Sequence, residues 1–137
     1  MHILISGAGV AGLCAGIDLT TLGHDVTIIE RAKHLRTNGS PIDVRGDAIG
    51  VANSMGVLAP IRDQRIDMSE RVQFVDRDGR AIAEIPAEEV NDSADDVEIP
   101  RENLTRILHE ALPRDAELIF EESIEHLDGD DDGVDVA

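Results

Sequence analysis

Ile3-Leu4-Ile5 is a short unbroken apolar run, and Val10, Leu13, Cys14, Ile17 and Thr21 follow it at the spacing of one helical face. Gly23-His24-Asp25 then makes a turn before a second apolar run, Val26-Thr27-Ile28-Ile29, closed by Glu30. The pattern predicts strand, helix, strand. Downstream, residues 42–44 alternate like a short strand, and residues 46–56 read as a helix on Ile49, Val51, Ala52 and Met55, ended by Gly56. Residues 57–67 are predicted helical with a break near Pro60. Residues 72–75 and 81–85 flank Asp76-Arg77-Asp78-Gly79, a hairpin signal. Residues 86–96 are acidic and read as an exposed loop, 97–99 as extended, and Pro100 holds Ile99 out of a helix. Leu104, Ile107, Leu108 and Leu112 mark a helix over 101–112, stopped by Pro113. Residues 116–120 are a third candidate parallel strand, and 123–127 and 134–137 flank an acidic turn.

Composition narrows the core and the partners. With 137 residues this is one domain or a piece of one. Phe74 and Phe120 are the only aromatic residues, so the core is aliphatic. The formal net charge of -17 repels nucleic acid and anionic membranes, and no apolar run approaches a membrane span. Lys33 is the only lysine, which suits either a high-salt cytoplasm or an ordinary acidic protein. No leader-like segment is recognisable, so the expected location is cytoplasmic. Cys14 falls on the inner helix face and is expected to be a buried small apolar residue.

The candidate chemistry sits between the first strand and helix. Gly7-Ala8-Gly9-Val10-Ala11-Gly12 is a G-x-G-x-x-G turn, and with Glu30 it fits the roughly 30-residue unit of a dinucleotide site. Gly7 permits the tight turn, Gly9 lets a pyrophosphate approach the backbone, and Gly12 allows close helix–strand packing. N–H groups of the first helical turn, Val10 and Ala11 among them, face the phosphates with the helix dipole. Glu30 stands where a carboxylate can accept from ribose hydroxyls, and it opposes a 2′-phosphate there. Residues 128–133 match the first half of an EF-hand loop, but the expected reading is an acidic hairpin turn without tight calcium binding. The five histidines show no metal-ligand spacing, and no metal site is expected. No candidate general base stands out.

These residues also carry a family resemblance. The opening Ile3-Leu4-Ile5-Ser6-Gly7-Ala8-Gly9-Val10-Ala11-Gly12-Leu13, then Leu22-Gly23-His24-Asp25-Val26 and Ile28-Ile29-Glu30-Arg31, resemble the N-terminal portion of the class A flavin-dependent monooxygenases. So do residues 39–57 and Glu98-Ile99-Pro100-Arg101-Glu102-Asn103-Leu104. This is the aromatic hydroxylase superfamily, and within it the likeness is to the branch that includes tetracycline-inactivating enzymes. Gly16 departs from the family's usual alanine. The resemblance implies an α/β fold: a three-layer, Rossmann-like FAD-binding domain with a parallel sheet. The hairpin and loop at 68–97 would belong to a substrate-binding sheet otherwise missing. It implies FAD as cofactor, NAD(P)H as transient reductant, and O2-dependent hydroxylation of a small organic substrate. Gly7, Gly9 and Gly12 would hold the pyrophosphate, Glu30 the adenosine ribose, Arg31 the adenosine end, Asp43 the flavin ring, and Arg101 the ribityl and flavin.

From the residues alone, a solvated strand-end arginine is the lesser reading of Arg31, while Asp43 reads equally as a cap for the helix near Gly46. Arg101 in a first helical turn opposes the dipole, which favours a ligand or an acidic partner. The family's later Asp-Gly and Gly-Asp stretches do not occur in these 137 residues. The expectation is therefore the first third of a larger flavoenzyme, as a fragment, a truncated product or half of a split protein. Ile3-Leu4-Ile5 would then form an open sheet edge, inviting a complementary C-terminal fragment or self-association. Another FAD-dependent reductase or dehydrogenase, or a non-catalytic nucleotide-binding module, remains an alternative.

Overall fold

The computed structural model describes residues 1–36, 38–66, 71–86, 95–130 and 133–137. They form two compact units, Met1–Asn38 with Leu104–Ala137, and Gly39–Asn103.

The first unit opens with β1 (His2–Ser6), α1 (Val10–Thr21) and β2 (Asp25–Glu30). β1 and β2 pair in parallel, Ile3 opposite Val26 and Ile5 opposite Ile28. The third strand, β7 (Glu117–Phe120), runs parallel on the other side of β2, with Ile28 opposite Leu118 and Glu30 opposite Phe120. The sheet order is β1-β2-β7, the parallel α/β arrangement expected of the sequence. Strand pleating sends alternate residues to opposite faces. A Cβ at Gly16 would lie 2.6 Å from the Ile28 Cδ1, so Val26, Ile28 and their neighbours Ile3 and Ile5 face α1. Leu13 and Ile17 are buried from the helix side. Leu112 reaches the same spot, its Cδ1 3.1 Å from the hypothetical Gly16 methyl.

A second hairpin completes this unit. β8 (Leu127–Gly129) and β9 (Val134–Val136) pair antiparallel. The first strand starts later than residues 123–127, because the turn closes at 130–133: the Asp130 N–H donates to the Gly133 carbonyl and the Gly133 N–H to Asp130 Oδ1. Asp131 and Asp132 lie outside the described residues, and with them part of the EF-hand-like pattern. A cleft of about 890 Å³ separates Met1, Ile3 and Leu4 from Leu127, Val134 and Val136. Among the described residues β1 pairs on one side only and is a sheet edge.

The second unit holds β3 (Ile42–Val44) antiparallel to β6 (Val97–Ile99), helices α2 (Asp47–Ser54) and α3 (Leu58–Asp63), and the hairpin β4 (Arg71–Val75) with β5 (Ala81–Pro86). Among the described residues, Val44, Ala52, Val57, Leu58, Ile61, Val97 and Ile99 are buried in it. Two expectations fail here for local reasons. Pro60 does not break a helix; it is the third residue of α3, where a backbone N–H has no intrahelical acceptor to lose. Val51 is 52 % exposed, because one residue step turns it about 100° away from the Ile49–Ala52–Met55 stripe. Gly56 does end the helix region at a φ of 74°. In the β4–β5 turn, Asp76 Oδ1 accepts from the Asp78 and Arg80 N–H groups and Gly79 takes a φ of 80°. Of the expected loop at 86–96, residues 87–94 lie outside the described residues, as do 67–70 before the hairpin.

α4 (Arg101–Ala111) carries the chain from the second unit back to the first, and Leu104, Ile107 and Leu108 on it are buried. No helix among the described residues is long and apolar enough to cross a membrane.

The core assignment has a direct test. Leu13 has no exposed surface and Leu22 is 72 % exposed. Leu13→Ala should cost about 2–5 kcal/mol in urea unfolding, and Leu22→Ala about 0.5 kcal/mol or less.

Candidate nucleotide site

The glycine turn is fixed by contacts that leave no space at one position and full space at another. The Gly7 N–H donates to the Ile29 carbonyl at 2.7 Å, which ties the end of β1 to β2. Gly7 then adopts a φ of 108°, a left-handed conformation that disfavours any side chain. A methyl group on Gly12 would overlap the Gly7 carbonyl oxygen and press on Ile5 Cγ2, so only glycine lets α1 start this close to β1. A methyl on Gly9 would meet nothing within 4 Å. Gly9 is the N-cap of α1; no side chain caps it and no acid lies in the first turn. The first helical bond runs from the Leu13 N–H to the Gly9 carbonyl, leaving the N–H groups of Val10, Ala11 and Gly12 without intrahelical acceptors. Uncapped N–H groups at the positive end of a helix suit an anion.

Glu30 lies beside this turn for the same pleating reason that buries Val26 and Ile28: all three point to the α1 side. Its Oε2 accepts from the Ala8 N–H and its Oε1 from the Ala32 N–H, both at 3.0 Å. These two backbone donors, Ala32 foremost, hold its pKa below the usual carboxylate range against the opposing effect of burial, and Arg36 and Arg31 add to the lowering. Glu30, Arg31 and Arg36 line a cavity of about 330 Å³ with Ser6, Gly7, Ile29, Glu122 and Ser123. Sequence reasoning named Glu30, Arg31 and Gly7 but missed Arg36, Glu122 and Ser123. The signal for the last two was the third parallel strand: in register with β2, its end delivers residues 122 and 123 beside residue 30. The Glu122 N–H donates to the Glu30 carbonyl at 3.2 Å.

Asp43 and Arg101 belong to the second unit. Asp43 is exposed on β3, opposite Glu98 on β6. It does not cap α2, whose N-cap is Gly46 without a side-chain bond. Arg101 is the first residue of α4 and has no ion-pair partner among the described residues. Its side chain crosses Gly39 so closely that a Gly39 methyl would lie 2.8 Å from both Cδ and Nε. Cys14 is half-buried, and burial, then Asp18, pushes its thiol pKa up. No group of three or more candidate metal ligands occurs among the described residues.

The pyridine nucleotide-disulphide oxidoreductase family matches residues 2–46. An FAD-dependent monooxygenase of Sarocladium schorii, asL4, is 33 % identical over 141 residues, spanning 99 % of this chain and 33 % of its own. A flavin-dependent monooxygenase of Legionella longbeachae is 36 % identical over 137 residues, spanning 99 % of this chain and 35 % of its own. The crystal structure of the tetracycline destructase Tet(51) superposes with a TM-score of 0.82 at 33 % identity, over 98 % of this chain and 34 % of that one. The chain thus spans about a third of the length of the curated relatives it matches.

Two measurements check the site's construction. Gly12→Ala should lower unfolding stability by about 3 kcal/mol or more, since backbone lies on both sides of the overlap, whereas Gly9→Ala should change it by about 0.5 kcal/mol or less. Glu30 gives a pH signature. With its folded pKa lowered, the ionised carboxylate stabilises the fold above the ordinary carboxylate range, and that contribution is lost as pH falls through the lowered value. The stability gap between wild type and Glu30→Gln, followed by thermal unfolding, should therefore close in acid.

Proposed function

Starting from a chain that belongs to the flavin-dependent monooxygenase family, we propose that it is the FAD-binding part of an enzyme that uses NAD(P)H and O2 to hydroxylate a small organic substrate. One observation carries the reading. Glu30, Arg31 and Arg36 line one cavity with Gly7, beside a helix N-terminus that no side chain caps. In this reading the turn from Gly7 to Gly12, with the N–H groups of Val10 and Ala11, holds the pyrophosphate. Glu30 accepts from the adenosine ribose, and Arg31 borders the adenosine end. Asp43 and Arg101 are assigned by the family resemblance to the flavin side. FAD, when bound, supplies the redox chemistry, and the protein's part is to bind and orient it. The β4–β5 hairpin is assigned to the sheet that bears the substrate. The proposed location is the cytoplasm.

The second reading is an FAD-dependent reductase or dehydrogenase. The match of residues 2–46 to the pyridine nucleotide-disulphide oxidoreductase family supports it, although that stretch includes the βαβ unit both classes share. The match of the monooxygenase relatives along almost the whole chain favours the first.

In isothermal titration, the chain should bind ADP, and Gly9→Ala should weaken this about tenfold, on the order of 1.4 kcal/mol, without lowering Tm. Equal affinities would remove the phosphate from the turn. The isolated 137-residue chain with added FAD should not oxidise NAD(P)H. Sustained FAD-dependent oxidation by the verified monomer would contradict the assignment of the remaining machinery to residues beyond these.

The β1 edge is the proposed contact for a complementary fragment or a second copy. Its unpaired backbone groups and the apolar cleft beside it favour pairing, while a net charge of -17 opposes self-association at low salt. Sedimentation should show the average mass rising between low and high salt; a salt-independent monomer would argue against an adhesive edge.

A further inference from the structure

We propose that Glu30 is a positioning residue for the glycine turn, clamping it in its phosphate-ready shape before any nucleotide arrives. The inference deepens the nucleotide-site reading and rests on it.

Ala8 lies between the two glycines that shape the turn and is only 3 % exposed. A buried backbone N–H requires an acceptor, and leaving one unpaired costs stability. The structure gives the Ala8 N–H one acceptor, Glu30 Oε2, across 22 positions of sequence. The other oxygen, Oε1, takes the Ala32 N–H just past the end of β2. The carboxylate is therefore a two-sided bracket. One arm holds the connection between β1 and α1, and the other holds the chain leaving β2.

The bracket calls for a carboxylate rather than a single acceptor. Each oxygen serves a different backbone donor, so glutamine, with one oxygen and an NH2 group that would face the second donor, can satisfy only one of them. Each carboxylate oxygen retains lone-pair capacity after accepting one N–H, so ribose hydroxyls can bind without breaking the bracket. Charge strengthens both bonds. Arg31 and Arg36 favour the ionised form, and Glu122 is the other carboxylate lining the cavity.

The consequence separates this role from simple ribose recognition. If Glu30 acts only through the ribose, its loss matters only for ligands that carry ribose hydroxyls. If it brackets the turn, its loss also weakens ligands without them, because the phosphate-facing N–H groups are no longer held.

The test uses the chain with amide hydrogen exchange by NMR and calorimetric titration of ADP and 2′,3′-dideoxy-ADP. Glu30→Ala should speed exchange at both Ala8 and Ala32 while core amides of β2 keep their protection, and Glu30→Gln should release one of the two. Glu30→Ala should also weaken 2′,3′-dideoxy-ADP about tenfold, the scale of one lost charge-assisted hydrogen bond. Should Glu30→Ala not fold, the single released amide in Glu30→Gln carries the test. Unchanged exchange at both amides in either variant would overturn the bracket. Equal affinity of wild type and Glu30→Ala for 2′,3′-dideoxy-ADP, with ADP alone weakened, would reduce Glu30 to a ribose ligand. Failure of the wild type to bind either nucleotide would sink the nucleotide-site reading, and amide exchange would still decide the bracket.

Discussion

The approach of Gly12 to the Gly7 carbonyl is the constraint on which the first unit depends. Because position 12 admits nothing larger than hydrogen, α1 begins almost on top of β1. That closeness has three results. It lets Leu13 and Ile17 reach the sheet face formed by Val26 and Ile28. It leaves a helix start that no side chain caps close to the end of β1, where an anion can approach. It also brings the Ala8 N–H within reach of a carboxylate at the end of β2. Packing and site are thus set by one contact, and a sequence that relaxed it would lose both.

Charge then acts on a scaffold already determined by sterics. The chain is strongly acidic, yet the cavity beside the turn gathers Arg31 and Arg36 around Glu30. A dinucleotide presents the complementary mixture, with hydroxyls for the carboxylate and phosphates for N–H groups and guanidinium ions. The monooxygenase relatives are similar to this chain along 99 % of its length, at 33–36 % identity, so the likeness is not confined to the glycine turn.

What was legible in the sequence was what local spacing encodes. The βαβ unit, Glu30 at its end, the Asp76–Gly79 turn and the third parallel strand all depend on residues a few positions apart, and the structure has each of them. Register and depth were less legible because they depend on partners distant in sequence. Glu122 and Ser123 join Glu30 only through the pairing of Glu30 with Phe120. Val51 counted toward the apolar spacing of the helix because α2 is short and the apolar letters crowd around its true stripe. Asp43 looked like a helix cap from its spacing, but strand pairing holds it on β3. The double hydrogen bonding of Glu30 was invisible for a further reason: backbone donors have no letter in a sequence.

The most direct test of the central claim, that the glycine turn and the Glu30 cavity hold the ADP half of FAD, is an NMR titration of the 15N-labelled chain with ADP. The account predicts saturable shifts concentrated at the amides of Gly7, Gly9, Val10, Ala11 and Gly12, and at Glu30, Arg31, Arg36 and Ser123. Saturable shifts confined to other parts of the chain, such as the β8–β9 hairpin, or none at millimolar ADP, would contradict it.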